Sequence, residues 1–244
     1  MRVVSLVPSQ SELLVDLGVV PVGVTRFCVR PPELKQQAAV VGGTKQVDAD
    51  AIRALKPDWI LANKEENTRE MVEALSSVAP VHVTDVHTLD DALAMIRTVG
   101  RHVGKRTAAA GLAHTIAERF DALSAFEPLR CAYLIWRDPW MTIGGDTFIS
   151  DMMARGGLVN VFAGQTRYPT LTPADIRTAD LDAVLLSSEP FPFSPSDADQ
   201  VEEQTGVPTF LADGEPFSWY GSRLLHAPGY LRSLRSKLKS VGVR

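Results

Sequence analysis

Ile52-Arg53-Ala54-Leu55-Lys56-Pro57-Asp58-Trp59-Ile60-Leu61 is followed 124 residues later by Ile176-Arg177-Thr178-Ala179-Asp180-Leu181-Asp182-Ala183-Val184-Leu185. Each stretch reads as a helix end, a turn carrying Asp and an apolar strand. A second pair stands 128 residues apart: Ala79-Pro80-Val81-His82-Val83-Thr84-Asp85 and Val207-Pro208-Thr209-Phe210-Leu211-Ala212-Asp213. Solenoid repeats recur every ~20–50 residues. An echo this long predicts two similar lobes instead.

Outward from the first copy, residues 3–7 read as a strand. A helix follows from Ser9 or Ser11 to Leu17 and stops at Gly18. Residues 20–24, 58–62 and 81–83 read as strands, and 50–55 and 68–77 as helices. Two helices come next, 89–103 and a longer one over 105–126 that Pro128 ends. Around the second copy, 131–136 reads as a strand and 148–154 as a helix closed by Gly156-Gly157. The alternation predicts an α/β protein. Its expected organisation is an N-terminal lobe over 1–104, a single long bridging helix over 105–127 and a C-terminal lobe over 128–244. Both lobes are expected to be Rossmann-like, with a ligand cleft between them.

Composition narrows the function. The 244 residues are 45% hydrophobic and 22% charged, an ordinary globular balance that excludes a disordered chain. A net charge of −4 argues against a nucleic-acid binder or a polybasic membrane-surface protein. The most apolar run, 13–24, is broken by Asp16, Gly18 and Pro21, far short of the ~18 residues of a membrane helix. Met1-Arg2 runs straight into a strand, so no leader is read. That predicts a cytoplasmic protein if Met1 is the native start, and a periplasmic or cell-surface one if a leader was removed. Cys28 and Cys131 are expected to be unpaired thiols.

Ligand sites in open α/β sheets lie beyond the carboxyl ends of the strands. There this chain carries nine of its 17 aromatics: Phe27, Trp136, Trp140, Tyr168, Phe191, Phe193, Phe217, Trp219 and Tyr220. Arg26, Arg30, Arg137, Arg167 and Arg223 accompany them. Aromatic faces beside arginines suit a flat or macrocyclic ligand with anionic edges. Catalytic signatures are missing. There is no G-x-S-x-G, no G-x-G-x-x-G after the first strand, and Val41-Gly42-Gly43-Thr44-Lys45 lacks the spacing of a phosphate loop. Gly144-Gly145-Asp146-Thr147 reads as a turn with a helix cap. His82 and His87, with Asp85, are the one close grouping of metal-ligand types, but their spacing sends them to opposite faces of a strand. His102 and His114 read as ordinary helix residues, and His226 stands apart.

Val3-Val4-Ser5-Leu6-Val7-Pro8-Ser9, Gly23-Val24-Thr25, Pro31-Pro32, Val41-Gly42-Gly43 and Leu55-Lys56-Pro57-Asp58 run in an order that resembles the class III substrate-binding proteins of ABC importers. These are the binders of vitamin B12 and ferric siderophores, and the resemblance covers nearly the whole chain. It implies two lobes on one helical backbone and non-covalent capture of a metal chelate without catalysis. Carried over position by position, it implies ligand contacts from Ser9, Phe27, Trp136, Tyr168, Glu215, Phe217, Trp219 and Arg223. Thr44 and Asn63 stand where B12 binders carry tryptophan. That departure, with the extra arginines, widens the expected ligand from a corrinoid to a ferric siderophore or haem. The resemblance also implies a permease partner met by acidic residues, here Glu65, Glu66 or Glu70 on the first lobe and Glu189, Glu202 or Glu203 on the second. Two rival readings stay open. One is a cytoplasmic enzyme or chaperone acting on such a cofactor, the enzyme with Glu215 and Asp146 or Asp138 as acid and base. The other is a direct divalent-metal binder using His82, His87 and carboxylates.

Overall fold

Both echoed stretches fold as a short helix, a turn and a buried strand. The structure is a computed structural model describing residues 1–240 and 242. It divides into two units. The first comprises Met1–Val86, Asp90–Ala117 and Tyr220–Arg223; the second comprises His87–Leu89, Glu118–Trp219 and the residues from Leu224 onward.

The first unit is built on a parallel sheet of β1 (Val3–Ser5), β2 (Gly23–Val24), β3 (Ala39–Val40), β4 (Trp59–Asn63) and β5 (Val81–Thr84), in the order β3-β2-β1-β4-β5. All five residues of β4 are buried, as a parallel strand covered on both faces requires. One core cluster joins Val4, Leu6, Ile52, Ile60 and Leu75. Gly23 is needed where it stands: a Cβ there would lie 2.8 Å from Leu55 Cδ1 and 3.1 Å from Val4 Cγ2. The second unit holds β6 (Leu129–Leu134), β7 (Trp140–Met141), β8 (Leu158–Asn160), β9 (Thr170–Leu171), β10 (Ala183–Ser187) and β11 (Thr209–Ala212). Its parallel sheet runs β11-β10-β6-β8, and β7 and β9 form an antiparallel ribbon.

The echo extends to individual hydrogen bonds. Helices Ala49–Ala54 and Pro173–Thr178 precede β4 and β10 at the same offset. The turns that follow them place Lys56 (φ 47°) and Asp180 (φ 51°) in the left-handed region. The Arg2 N–H donates to Asp58 Oδ2 at 2.6 Å, and the Arg130 N–H donates to Asp182 Oδ2 at 2.7 Å. In return Asp58 N–H donates to Arg2 O, and Asp182 N–H to Arg130 O, both at 2.8 Å. Each Asp thus closes the amino end of its sheet by bracing the first strand to the turn.

The two central helices run over Leu89–His102 and Arg106–Asp121. The second ends short of residue 126. Its last turn tightens, with Leu123 N–H donating to Phe120 O three residues back, and Ser124 follows. The expected strand over 131–136 is Leu129–Leu134, because pairing with β8 begins at Leu129 and the chain leaves the sheet after Leu134. Helices Pro195–Thr205 and Ala227–Ser240 complete the second unit. Both cysteines are free and buried, and burial pushes the Cys131 thiol up to about 12. No helix among the described residues is long and apolar enough to cross a membrane.

Candidate ligand-binding loops

In the first unit the strand-end loops are held by amides. Asn63, buried at the end of β4, donates to Thr84 O and Thr84 Oγ1, both at 3.0 Å, and accepts from Glu65 N–H at 2.8 Å. Asn67 Oδ1 accepts from Asn63 N–H at 2.8 Å, while its Nδ2 donates to Thr44 O at 2.8 Å. The two positions that depart from tryptophan, Thr44 and Asn63, are therefore part of a staple that ties the ends of β4 and β5 to the loop after β3. Above it Phe27 is 48% exposed, with the Arg26 guanidinium 5.0 Å over its ring. Gly43 lets this pair lie close, since a Cβ there would stand 3.2 Å from Arg26 Nη2 and 3.4 Å from the Phe27 ring. Burial raises the Glu66 carboxyl above its usual range, against the lowering pull of Lys45 and a hydrogen bond with Thr44.

The second unit presents rings. Trp136, at the end of β6, is 40% exposed and meets Phe191 edge-on at 5.5 Å. Phe191 packs on Phe193 at 4.8 Å, and Phe193 stacks on Trp140 at 6.1 Å. The four rings form a ladder from exposed Trp136 to buried Phe193. Arg137 lies 5.8 Å over the Trp140 ring and pairs with buried Asp197. Tyr168 is half-buried, with the Arg167 guanidinium 5.6 Å over its ring. Asp146 Oδ1 accepts the Arg167 N–H at 2.6 Å and so fixes that loop. Thr147 caps helix Phe148–Arg155, as the Gly-Gly-Asp-Thr turn predicts.

Beyond β10, Glu189 is half-buried, and burial raises its carboxyl above the usual range. Hydrogen bonds from the Ser218 and Trp219 side chains oppose that rise, and the Glu215 charge adds to it.

Four of the residues carried over from the resemblance sit in packing roles. Phe217 is fully buried, 5.0 Å from the Tyr133 ring and 6.1 Å from that of Tyr230. Trp219 is buried against Glu189. Ser9 is buried in helix Pro8–Asp16, its carbonyl so close under Gly221 that a Cβ there would come within 2.7 Å. Arg223 makes a two-pronged ion pair with Glu12, Nε donating to Oε2 at 2.9 Å. Phe27, Trp136 and Tyr168 keep exposed surface, and Glu215 opens a four-residue helix with its N–H on Asp213 Oδ1. Phe191 and Glu189 join these strand-end loops through contacts made in the fold, Phe191 with Trp136 and Phe193, and Glu189 with Ser218 and Trp219.

The rival readings find no assembled centre. His82 belongs to the first unit, where it tilts against Trp59 (5.7 Å) and His102 (5.2 Å). His87 belongs to the second, with Nδ1 on Asp146 O at 2.9 Å. Among the described residues no three His, Cys, Asp or Glu side chains gather to hold a metal. Asp138 pairs with Arg137 at 3.4 Å and Asp146 is engaged by Arg167, so each acid named beside Glu215 has its own partner.

The family described as periplasmic binding protein matches residues 3–212. A vitamin B12-binding protein of Pectobacterium atrosepticum is 28% identical over 253 residues, covering 98% of this chain and 89% of that one. Among solved structures, a periplasmic heme-binding protein from Roseiflexus sp. RS-1 in apo form gives a TM-score of 0.83 at 21% identity, over 100% of this chain and 99% of that one. The periplasmic vitamin B12 binding protein of Vibrio cholerae gives 0.81 at 19%, over 98% of this chain and 97% of that one. Identities this low carry the fold alone. The chain belongs to the periplasmic binding protein family: it is a solute-binding protein and not an enzyme.

Proposed function

We propose that this chain captures a bulky metal chelate non-covalently, a corrinoid or a haem- or siderophore-type ferric chelate, and delivers it to an ABC permease. The observation that carries the reading is the ring ladder Trp136–Phe191–Phe193–Trp140 with an exposed face at Trp136. Rings left open at strand ends await a large apolar partner. Covering the exposed 40% of Trp136, on the order of 100 Å², is worth about 2.5 kcal/mol. Phe27 offers a similar gain. Micromolar capture needs about −8 kcal/mol after the cost of association. Ring burial alone falls short of that, and Arg26 and Arg167, already poised over rings, supply the polar remainder. In the second unit Trp136, Phe191 and Tyr168 face the ligand, with Glu215 at the edge; in the first unit Phe27 is the open ring. Ser9, Phe217, Trp219 and Arg223 act from behind, as positioning residues.

For the permease, Glu70 and Glu203 are the fitting acids, because both are exposed. Glu66 and Glu189 are half-buried, and Glu202 Oε2 accepts from Thr209 N–H. A periplasmic or cell-surface location suits this reading.

The test is a visible-absorbance titration with cyanocobalamin, haemin and a ferric hydroxamate, with calorimetry alongside. One of them binds saturably, one to one, with Kd below about 1 μM. Trp136→Ala weakens that binding by about 1–3 kcal/mol. Absence of saturable binding to all three overturns the chelate reading. Unchanged affinity in both Trp136→Ala and Phe191→Ala overturns the ladder as its site.

A further inference from the structure

Within the first unit, the stretches of helices Leu89–His102 and Arg106–Asp121 that belong to it border a cavity of about 360 Å³ that no strand-end loop lines. Its wall is made of Arg97, Thr98, Arg101 and Arg106, with Ala94 and Ala110 as small neighbours. All three arginines are exposed. Arg97 and Arg101 stand one turn apart on one helix face, a spacing at which like charges destabilise a helix. Between Asp91 and Glu118 the sequence carries Arg97, Arg101, Lys105 and Arg106 and no carboxylate, in a chain whose 29 acids outnumber its 25 bases. Among the described residues no carboxylate pairs with these three arginines; Arg101 Nη2 donates only to Thr98 Oγ1, at 3.0 Å. Arginines elsewhere have acids: Arg137 has Asp197, Arg155 has Asp151 and Arg223 has Glu12. The carboxyl end of one helix and the amino end of the next both approach the cavity, with opposite partial charges. The guanidinium groups therefore set its sign.

We propose that this cavity is a binding site for a multiply charged phosphate-type anion, held by the guanidinium forks of Arg97, Arg101 and Arg106. Planar forks match phosphate oxygens two at a time, and the small Ala94 and Ala110 leave the room. The anion neutralises a like-charge cluster that the fold itself leaves uncompensated. The site uses none of the residues of the chelate reading and stands independently of it.

Inorganic pyrophosphate is titrated into the full chain by calorimetry at low salt, and into the R97Q/R101Q/R106Q variant. In parallel, sedimentation with phosphatidylcholine vesicles containing phosphatidic acid asks whether the phosphate is that of a lipid. The wild type binds pyrophosphate saturably, at least tenfold more tightly than the variant, and the affinity falls as salt rises. Vesicle retention that pyrophosphate relieves and the variant loses assigns the same site to a lipid phosphate. Absence of saturable binding in both arms overturns the proposal, as does binding that the variant retains undiminished. Exposed arginines are replaced, so an unchanged circular dichroism melt shows that the variant is folded. Arg101→Lys, which keeps the charge but loses the fork, is expected to retain binding only in part.

Discussion

β4 and β10 are the same strand built twice, yet their ends differ. Both follow a six-residue helix and a left-handed residue, and both are braced by an Asp that bonds the first strand of its sheet. At the end of β4 and just past it come Asn63 and Asn67, whose amides stitch neighbouring strand ends together. Past β10 come Glu189, Phe191 and Phe193, which stack rings and bury a carboxyl. The frame fixes where a loop emerges; the first few residues beyond it decide whether that place is a rigid polar floor or an apolar shelf. The division of labour is physical. Hydrogen-bonded amides hold geometry at little net gain in energy. Open rings hold little geometry and gain energy when covered.

Five substitutions break or sharpen this contrast, largest effect first. Phe217→Ala removes a fully buried ring from behind the shelf and costs about 3–5 kcal/mol, read by hydrogen exchange confined to the second unit. Asn67→Ala strands Asn63 N–H and Thr44 O and costs about 2–4 kcal/mol, read in the first unit alone. Exchange that rises equally in both units for either variant would break the division. Glu189→Gln has an effect that depends on pH. The folded carboxyl is raised above its usual range, so the native state binds the proton more tightly than the unfolded chain. Stability is full below the ordinary glutamate pKa and is lost as pH rises through the raised one. The variant therefore melts with wild type near pH 4 and above it at pH 7–8; melts that differ equally at both pH values would overturn the assignment. Asp58→Ala and Asp182→Ala are the smallest, about 0.5–1.5 kcal/mol each, and nearly equal because they remove the same brace. A gap above about 1 kcal/mol between them would show that the two frames are not equivalent.

The frame was legible because a helix end, an Asp turn and a run of β-branched residues are local signals, and they recur at one offset. Helix Pro195–Thr205 carries a local signal of another kind, the Ser194–Asp197 capping box with Pro195 behind its cap, which strand patterning does not register. Helix Ala227–Ser240 is masked by Pro228 and Gly229 in its first turn. The long helix reads as running on to residue 126 because residues 122–127 contain no Gly or Pro to end it. Among site residues, Phe27, Trp136 and Tyr168 keep open surface while Phe217 and Trp219 are buried. Loops have no periodicity, so a loop aromatic does not announce which way it turns. Glu189 and Asn67 take their roles from partners 29 and 23 residues away, Ser218 and Thr44, a distance no local pattern spans.

Tyr220–Arg223 return to the first unit, where Gly221 closes over Ser9 and Arg223 engages Glu12. During synthesis the strands of that unit leave the ribosome first, but the guanidinium that completes it is 211 residues behind its carboxylate. Domains generally fold in order of emergence. Here the earlier unit waits, with Glu12 unanswered, until the second unit's strands have been made and Arg223 emerges.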